Sequence, residues 1–246
     1  KGQKLIKILN YKSSISFYIL YIFIGLSIIF LWLLFPKILL LVFLIVASFH
    51  FGKEDSEFID YKANHYLIYF FKGSLAITAP LLFHKSETLE IFKILSFDIS
   101  QSVFITDEFL YLFVIISLFS NIFISSNKTL EIKSILIMDF ISILLLNYFL
   151  SPILAFTIYF CFLHSIRHSI SLIKDINRNI KKGFPIFLKK AMPLTIITAL
   201  AYLFSLFFLN NYYEFNEAIY KVIFIGLAAL TFPHILLEYL IEKNEK

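Results

Sequence analysis

Apolar runs of about 20 residues recur from one end of this 246-residue chain to the other, and that feature confines the fold. Such a run crosses bilayer hydrocarbon as a helix, because in lipid every backbone N–H and C=O must find its partner within the protein. The runs predict spans at 14–35, 38–52, 65–84, 108–125, 134–150, 153–173, 191–210 and 217–240. The expected fold is therefore all-α, a polytopic transmembrane helical bundle of about eight spans forming a single integral membrane domain over 1–246. Composition agrees: 16% of residues are charged, against roughly 25% in a soluble domain, and no stretch is left over for a soluble domain. The net charge of +5 is small, and the lysines fall in short loops. That pattern fits topology and lipid contact, and it argues against a nucleic-acid surface. The single cysteine, Cys161, lies in an apolar run and cannot form an intrachain disulfide.

The second span is short for a crossing and is expected to tilt or to be partly re-entrant. The mixed stretch 88–106 reads either as an amphipathic segment lying on the interface or as one dipping into the protein. Pro36 and the Ser151-Pro152 pair mark tight turns between spans. Lys1, Lys4, Lys7 and Lys12 precede the first span, and Lys174, Arg178, Lys181, Lys182, Lys189 and Lys190 fill the segment 174–190, read as a loop. The positive-inside rule puts both segments in the cytoplasm. Eight crossings satisfy that with both termini cytoplasmic and the base-free loop 211–216 outside.

Six histidines are placed by this topology: His50, His65, His84, His164, His168 and His234. All but His84 are expected in the cytoplasmic half. An ionisable group inside a membrane marks a functional site by default, since leaving it unpaired there costs several kcal/mol. His164 and His168 stand at i, i+4, which on a helix puts both imidazoles on one face, about 6 Å apart at Cβ. That spacing suits one metal ion, and neutral imidazole is a ligand for Fe, Zn and Cu; interhelical hydrogen bonding is the alternative. Arg167 between them needs a partner or must reach the interface as an anchor. His50 closes an apolar run, with Gly52 read as the point where the chain turns. Glu54 and Asp55 follow, either as a solvated helix end or as carboxylates orienting a ligand histidine. Pro233 and His234 interrupt the last span, where a freed carbonyl often lines a cavity, and Glu238 lies one turn on. His65 is read as interfacial. Asp139 is a candidate proton or metal partner, or a hydrogen-bond partner of neighbouring hydroxyls.

The pieces Ser48-Phe49-His50-Phe51-Gly52, Lys72 to His84, Phe160-Cys161-Phe162-Leu163-His164-Ser165-Ile166-Arg167-His168 and Pro233-His234 resemble the Brp/Blh-type β-carotene 15,15′-dioxygenases. These are integral membrane proteins of rhodopsin-bearing microbes. Order and rough spacing agree along nearly the whole chain. The resemblance implies oxidative cleavage of the central 15,15′ double bond of β-carotene, or a related carotenoid, with O2 to give two retinals that pass to a rhodopsin. It also implies a multi-pass protein of the cell's inner membrane. The implied cofactor is non-haem Fe(II) held by His50, His164 and His168, with His234 a further candidate ligand; Glu54, Asp55 and Glu238 are read from their positions as candidates to orient them. The family also carries a PHGxxD-like motif upstream of the histidine matching His50. None precedes His50 here, and the chain begins at Lys1 without methionine, so the resemblance implies a missing N-terminal helix.

Three rivals remain open. A membrane di-iron desaturase or hydroxylase also uses HxxxH but gathers more histidines in clustered boxes. A proton or metal transporter would carry mid-span carboxylates in paired halves, and only Asp139 fits. A carotenoid-binding protein without catalysis would share the aromatic content and need no histidine cluster.

Overall fold

The computed structural model describes residues 14–59, 66–96 and 105–244. Among these the chain is helical with no strand: α1 Ser14–Leu34, α2 Pro36–Glu54, α3 Tyr66–Phe83, α4 Lys85–Ile94, α5 Asp107–Ser125, α6 Leu130–Phe149, α7 Pro152–Ile176, α8 Ile180–Leu209 and α9 Phe215–Asn244. Seven of them, α2, α3 and α5–α9, are long and apolar enough to cross a membrane, and α1 adds a shorter apolar stretch at Tyr18–Leu34. The molecule is a polytopic α-helical membrane bundle.

Two boundaries differ from those expected. The second span is a full-length helix, because α2 runs on through Gly52 to Glu54. The basic segment 174–190 is mostly helix, since α8 begins at Ile180. Asparagine side chains set that start: Asn177 Oδ1 accepts from the Asn179 N–H at 2.8 Å, and Asn179 Oδ1 accepts from the Lys181 N–H at 3.0 Å. The second contact is an N-cap, satisfying one of the amides a helix start leaves over. Lys181, Lys182, Lys189 and Lys190 therefore ride on α8. Of the stretch 88–106, residues 97–104 lie outside the described residues; before them α4 buries Thr88, Ile91 and Phe92.

The chain divides into two compact units. One holds α1, α2 as far as Phe43, α8 from Ala201, and α9. Its core is built on Trp32, Leu40, Phe43 and the small faces of Ala218, Ala228 and Ala229. Tyr21 donates to the Leu230 carbonyl at 3.2 Å, closing α1 on α9.

The other unit holds α2 from Leu44, α3, α4 as far as Lys93, α5, α6, α7 and α8 as far as Leu200. α3 is its central helix, burying a small-residue face of Gly73, Ser74, Ala76, Thr78 and Ala79. Without a hydrophobic drive between helices in lipid, close backbone approach does the packing, and small residues permit it. Hydroxyl and amide side chains in the spans bond back to carbonyls of their own helix, as Thr78 does to Ser74, Asn121 to Ser117 and Asn147 to Ile143.

Candidate metal centre

The histidine pair lies on α7, and that helix is not uniformly α. From Tyr159 to Ser165 it winds as a π-helix before resuming α geometry at Ile166. A π turn inside an α-helix is rare and recurs at functional sites. In an α-helix residues five apart point about 140° away from each other. Closing i→i+5 bonds brings them into line, and here that aligns Tyr159 with His164.

Both side chains meet one carboxylate. The Tyr159 hydroxyl donates to Asp55 Oδ2 at 2.8 Å, while His164 Nδ1 lies 3.0 Å from Asp55 Oδ1. Next along α7, His168 Nδ1 is hydrogen-bonded to Glu54 Oε2. Two adjacent acids at the end of α2 thus address two histidines four residues apart on α7, each through Nδ1. His50 completes the group from α2, its ring centre 5.5 Å from that of His164. His50, His164, Glu54 and Asp55 are all buried. The charge run after His50 is therefore not a solvated helix end. Gly52 is not a turn either: it sits inside α2 without positive φ, pressed against α3.

Aromatic rings wall this centre. Phe51 meets the His164 ring edge-on at 4.9 Å, and Phe160 stacks on it at 5.6 Å. Phe156 stacks in turn on Phe160.

Behind the histidines lies a charged layer. Arg167 donates to Asp139 Oδ1 at 2.9 Å and approaches Asp55 Oδ1 to 4.0 Å. Asp139 thus partners an arginine, not a hydroxyl, and Arg167 has its counter-ion inside the bundle. Lys72, buried on α3, donates to Ser56 Oγ at 2.9 Å. A small cavity lies among Asp55, Lys72, Asn121, Asp139 and Tyr159. Asp55 stands one residue beyond the end of its span. Burial pushes its carboxyl up, but the His164 hydrogen bond and the electrostatic attraction of His164, Lys72 and Arg167 outweigh it and hold it at about 2.

The remaining sequence candidates are His234, Glu238, His65 and His84. His234 belongs to the first unit, partly buried on α9 beside the buried Pro233. The Glu238 side chain and His65 lie outside the described residues. His84 follows α3, with Nδ1 3.8 Å from Glu87 and a buried Nε2 without a hydrogen-bond partner. Sequence reading passed over Tyr159 and Lys72. Lys72 carried a usable signal, a lysine inside an apolar run; Tyr159 carried none, being one of 14 tyrosines.

Chemically, imidazoles whose Nδ1 atoms face carboxylates suit a divalent transition metal, since ligand histidines almost always engage a carboxylate, carbonyl or water through their other nitrogen. Two imidazoles on one ion at about 2.1 Å each hold their ring centres about 5 Å apart, and the His50–His164 spacing of 5.5 Å fits. Among the described residues, the set of three whose ligand atoms all lie within 4.8 Å of one another is Glu54, Glu57 and His168, although Glu57 is exposed.

Residues 2–242 match the family model described as beta-carotene 15,15′-dioxygenase. The chain is 29% identical over 220 residues to the beta-carotene 15,15′-dioxygenase of uncultured marine bacterium 66A03, an alignment covering 89% of this chain and 78% of that protein. No solved structure matches the chain.

Proposed function

Because the chain belongs to the β-carotene 15,15′-dioxygenase family, we propose that it cleaves the central 15,15′ double bond of β-carotene, or a related carotenoid, with O2 to give two retinals. The retinal is then available to a rhodopsin. Within that reading the cofactor is Fe(II), and His50, His164 and His168 hold it. His234, on α9, stands as a further candidate ligand.

The observation that carries the metal assignment is the double pairing of Asp55 with His164 and Glu54 with His168. Each carboxylate accepts from Nδ1–H, fixing the tautomer and leaving Nε2 as the atom offered to the ion. When bound, ferrous iron supplies the oxygen chemistry. The rest is done by side chains. Asp55 and Glu54 set the ring planes, and the Phe51, Phe156 and Phe160 rings around His164 keep water from the reacting centre. No side chain is required as a general base.

The substrate suits the setting. β-Carotene is an insoluble rod about as long as bilayer hydrocarbon is thick, roughly 30 Å, so an enzyme within the membrane takes it directly from lipid.

Expression in β-carotene-producing cells tests the proposal. The wild-type chain is expected to convert the pigment to retinal, while His164→Ala and His168→Ala leave it intact and lower the iron content of the purified protein. Iron-loaded protein that leaves carotene untouched would sink the enzymatic reading and favour a carotenoid binder.

A further inference from the structure

We propose that Tyr159 is a positioning residue for the metal centre, acting through Asp55 on His164, and that the π turn of α7 exists to put it there. This rests on the reading of His164 as a metal ligand.

Three independent features of the geometry converge. Tyr159, Asp55 and His164 are all buried, so the hydrogen bonds among them are shielded from bulk water. The two oxygens of Asp55 are divided between the two partners, Oδ2 taking the tyrosine hydroxyl and Oδ1 facing His164 Nδ1. A carboxylate held at one oxygen cannot rotate freely about its terminal torsion, so the tyrosine fixes where the other oxygen points. That direction sets the plane of the His164 ring, and with it the line along which Nε2 faces an ion. Finally, Tyr159 and His164 are five residues apart, a spacing that meets a single acceptor only in the π-wound segment Tyr159–Ser165.

Phe51 supports the same arrangement from the apolar side. Its ring lies perpendicular to that of Tyr159 at 5.6 Å and nearly perpendicular to that of His164 at 4.9 Å. Tyr159 therefore keeps its place by ring packing as well as by its hydroxyl. This makes Tyr159→Phe a narrow perturbation, since it removes the hydroxyl and leaves the ring contact.

The experiment is Fe(II) affinity of the purified full chain, measured by chelator competition, for wild type, Tyr159→Phe, Asp55→Asn, their combination and His164→Ala. Partners of ligand histidines typically govern affinity by 10- to 100-fold. Asp55→Asn is expected within that range and Tyr159→Phe at about tenfold, with no further loss when the two are combined. Unaltered affinity in Tyr159→Phe, even if its metal-free melting temperature falls, assigns the tyrosine to packing alone and overturns the inference. Losses that simply multiply in the double variant also overturn it, because the tyrosine then does not act through Asp55. Wild-type affinity in His164→Ala removes the ligand itself and fails at the earlier step, distinguishable because both readings fall together. Should Tyr159→Phe not fold, 3-fluorotyrosine incorporated in place of Tyr159 keeps the ring and strengthens the donor. The absorption bands of the Co(II)-loaded protein are then expected to shift, and unchanged bands overturn the inference.

Discussion

Gly52→Ala adds one methyl group at the point where α2 and α3 touch, and the structure gives the size of the disturbance. A Cβ on Gly52 would lie 1.8 Å from the Tyr69 carbonyl oxygen and 2.9 Å from the Gly73 nitrogen, both backbone atoms that no rotamer can move aside. Carbon–oxygen contacts between helices settle at about 3.3 Å or more. The crossing must therefore open by about 1.5 Å. Alanine gains up to about 1 kcal/mol over glycine in helix propensity, but forced overpacking costs about 3 kcal/mol at the upper end of its usual range. The steric effect wins, and a net loss of about 2 kcal/mol is expected.

The displacement reaches the candidate metal centre, because His50 lies two residues before Gly52 and Glu54 and Asp55 lie just after it. Asp55 and His164 are 3.0 Å apart, and a further ~1.5 Å ends the hydrogen bond. Misplacement by about 1 Å commonly costs on the order of 100-fold in rate. The assays are a thermal melt and iron content of detergent-purified protein, with retinal yield in β-carotene-producing cells. Gly25→Ala is the control: its Cβ would lie 3.1 Å from the Ala229 carbonyl oxygen, so a shift of a few tenths of an ångström is enough. A Gly52→Ala protein that melts, binds iron and makes retinal like wild type would refute the argument that backbone contact at this crossing sets the site.

Arg167→Ala strands the partly buried Asp139 carboxylate, whose buried Oδ2 already lacks a hydrogen-bond partner. Since Arg167 is partly exposed, a loss of about 2 kcal/mol is expected, below the range for fully buried pairs. Asp139→Asn in that background should recover part of it, as thermal melts of the four proteins would show. Glu54→Gln is expected to lower Fe(II) affinity about tenfold, while Glu57→Gln leaves it near wild type. The reverse order in a chelator titration would move the ion to the Glu54–Glu57–His168 group. Chelation should abolish retinal formation while leaving the far-ultraviolet helix signal unchanged, and Fe(II) but not Zn(II) should restore activity, because only iron brings redox chemistry.

Hydropathy made the helices legible, because in a bilayer nearly every residue of a span answers to one solvent. It misjudged ends where local chemistry decides. The asparagine caps at Asn177 and Asn179 start α8 within what reads as a basic loop. Gly52 shows a second limit: a glycine after a histidine reads as a turn, and only the carbonyl of Tyr69 in another helix shows why no side chain fits there. The HxxxH pair was visible because its spacing is short. Its carboxylate partners are about 110 residues away, and a contact at that separation leaves no periodic trace. The π turn is hidden for a similar reason, since nothing in Tyr-Phe-Cys-Phe-Leu-His-Ser announces it.

One local contradiction nevertheless pointed to the centre. Glu54 and Asp55 stand at the C-terminal end of α2, where unpaired carbonyls concentrate partial negative charge and acids are disfavoured by about 0.3–1 kcal/mol each. Solvent could relieve that cost, but both residues are buried. The compensation must be tertiary, and it comes from donors on α7: the hydroxyl of Tyr159, Nδ1 of His164 and Nδ1 of His168. An adjacent pair of acids at a helix end and a histidine pair one turn apart on another helix are each weak signals. They become specific jointly, because each acid is tolerable where it stands only if a donor arrives from elsewhere in the fold. A sequence that violates a local rule at such a place is expected to do so for function, and here the violation ties the two imidazoles of α7, through Nδ1, to two adjacent carboxylates of α2.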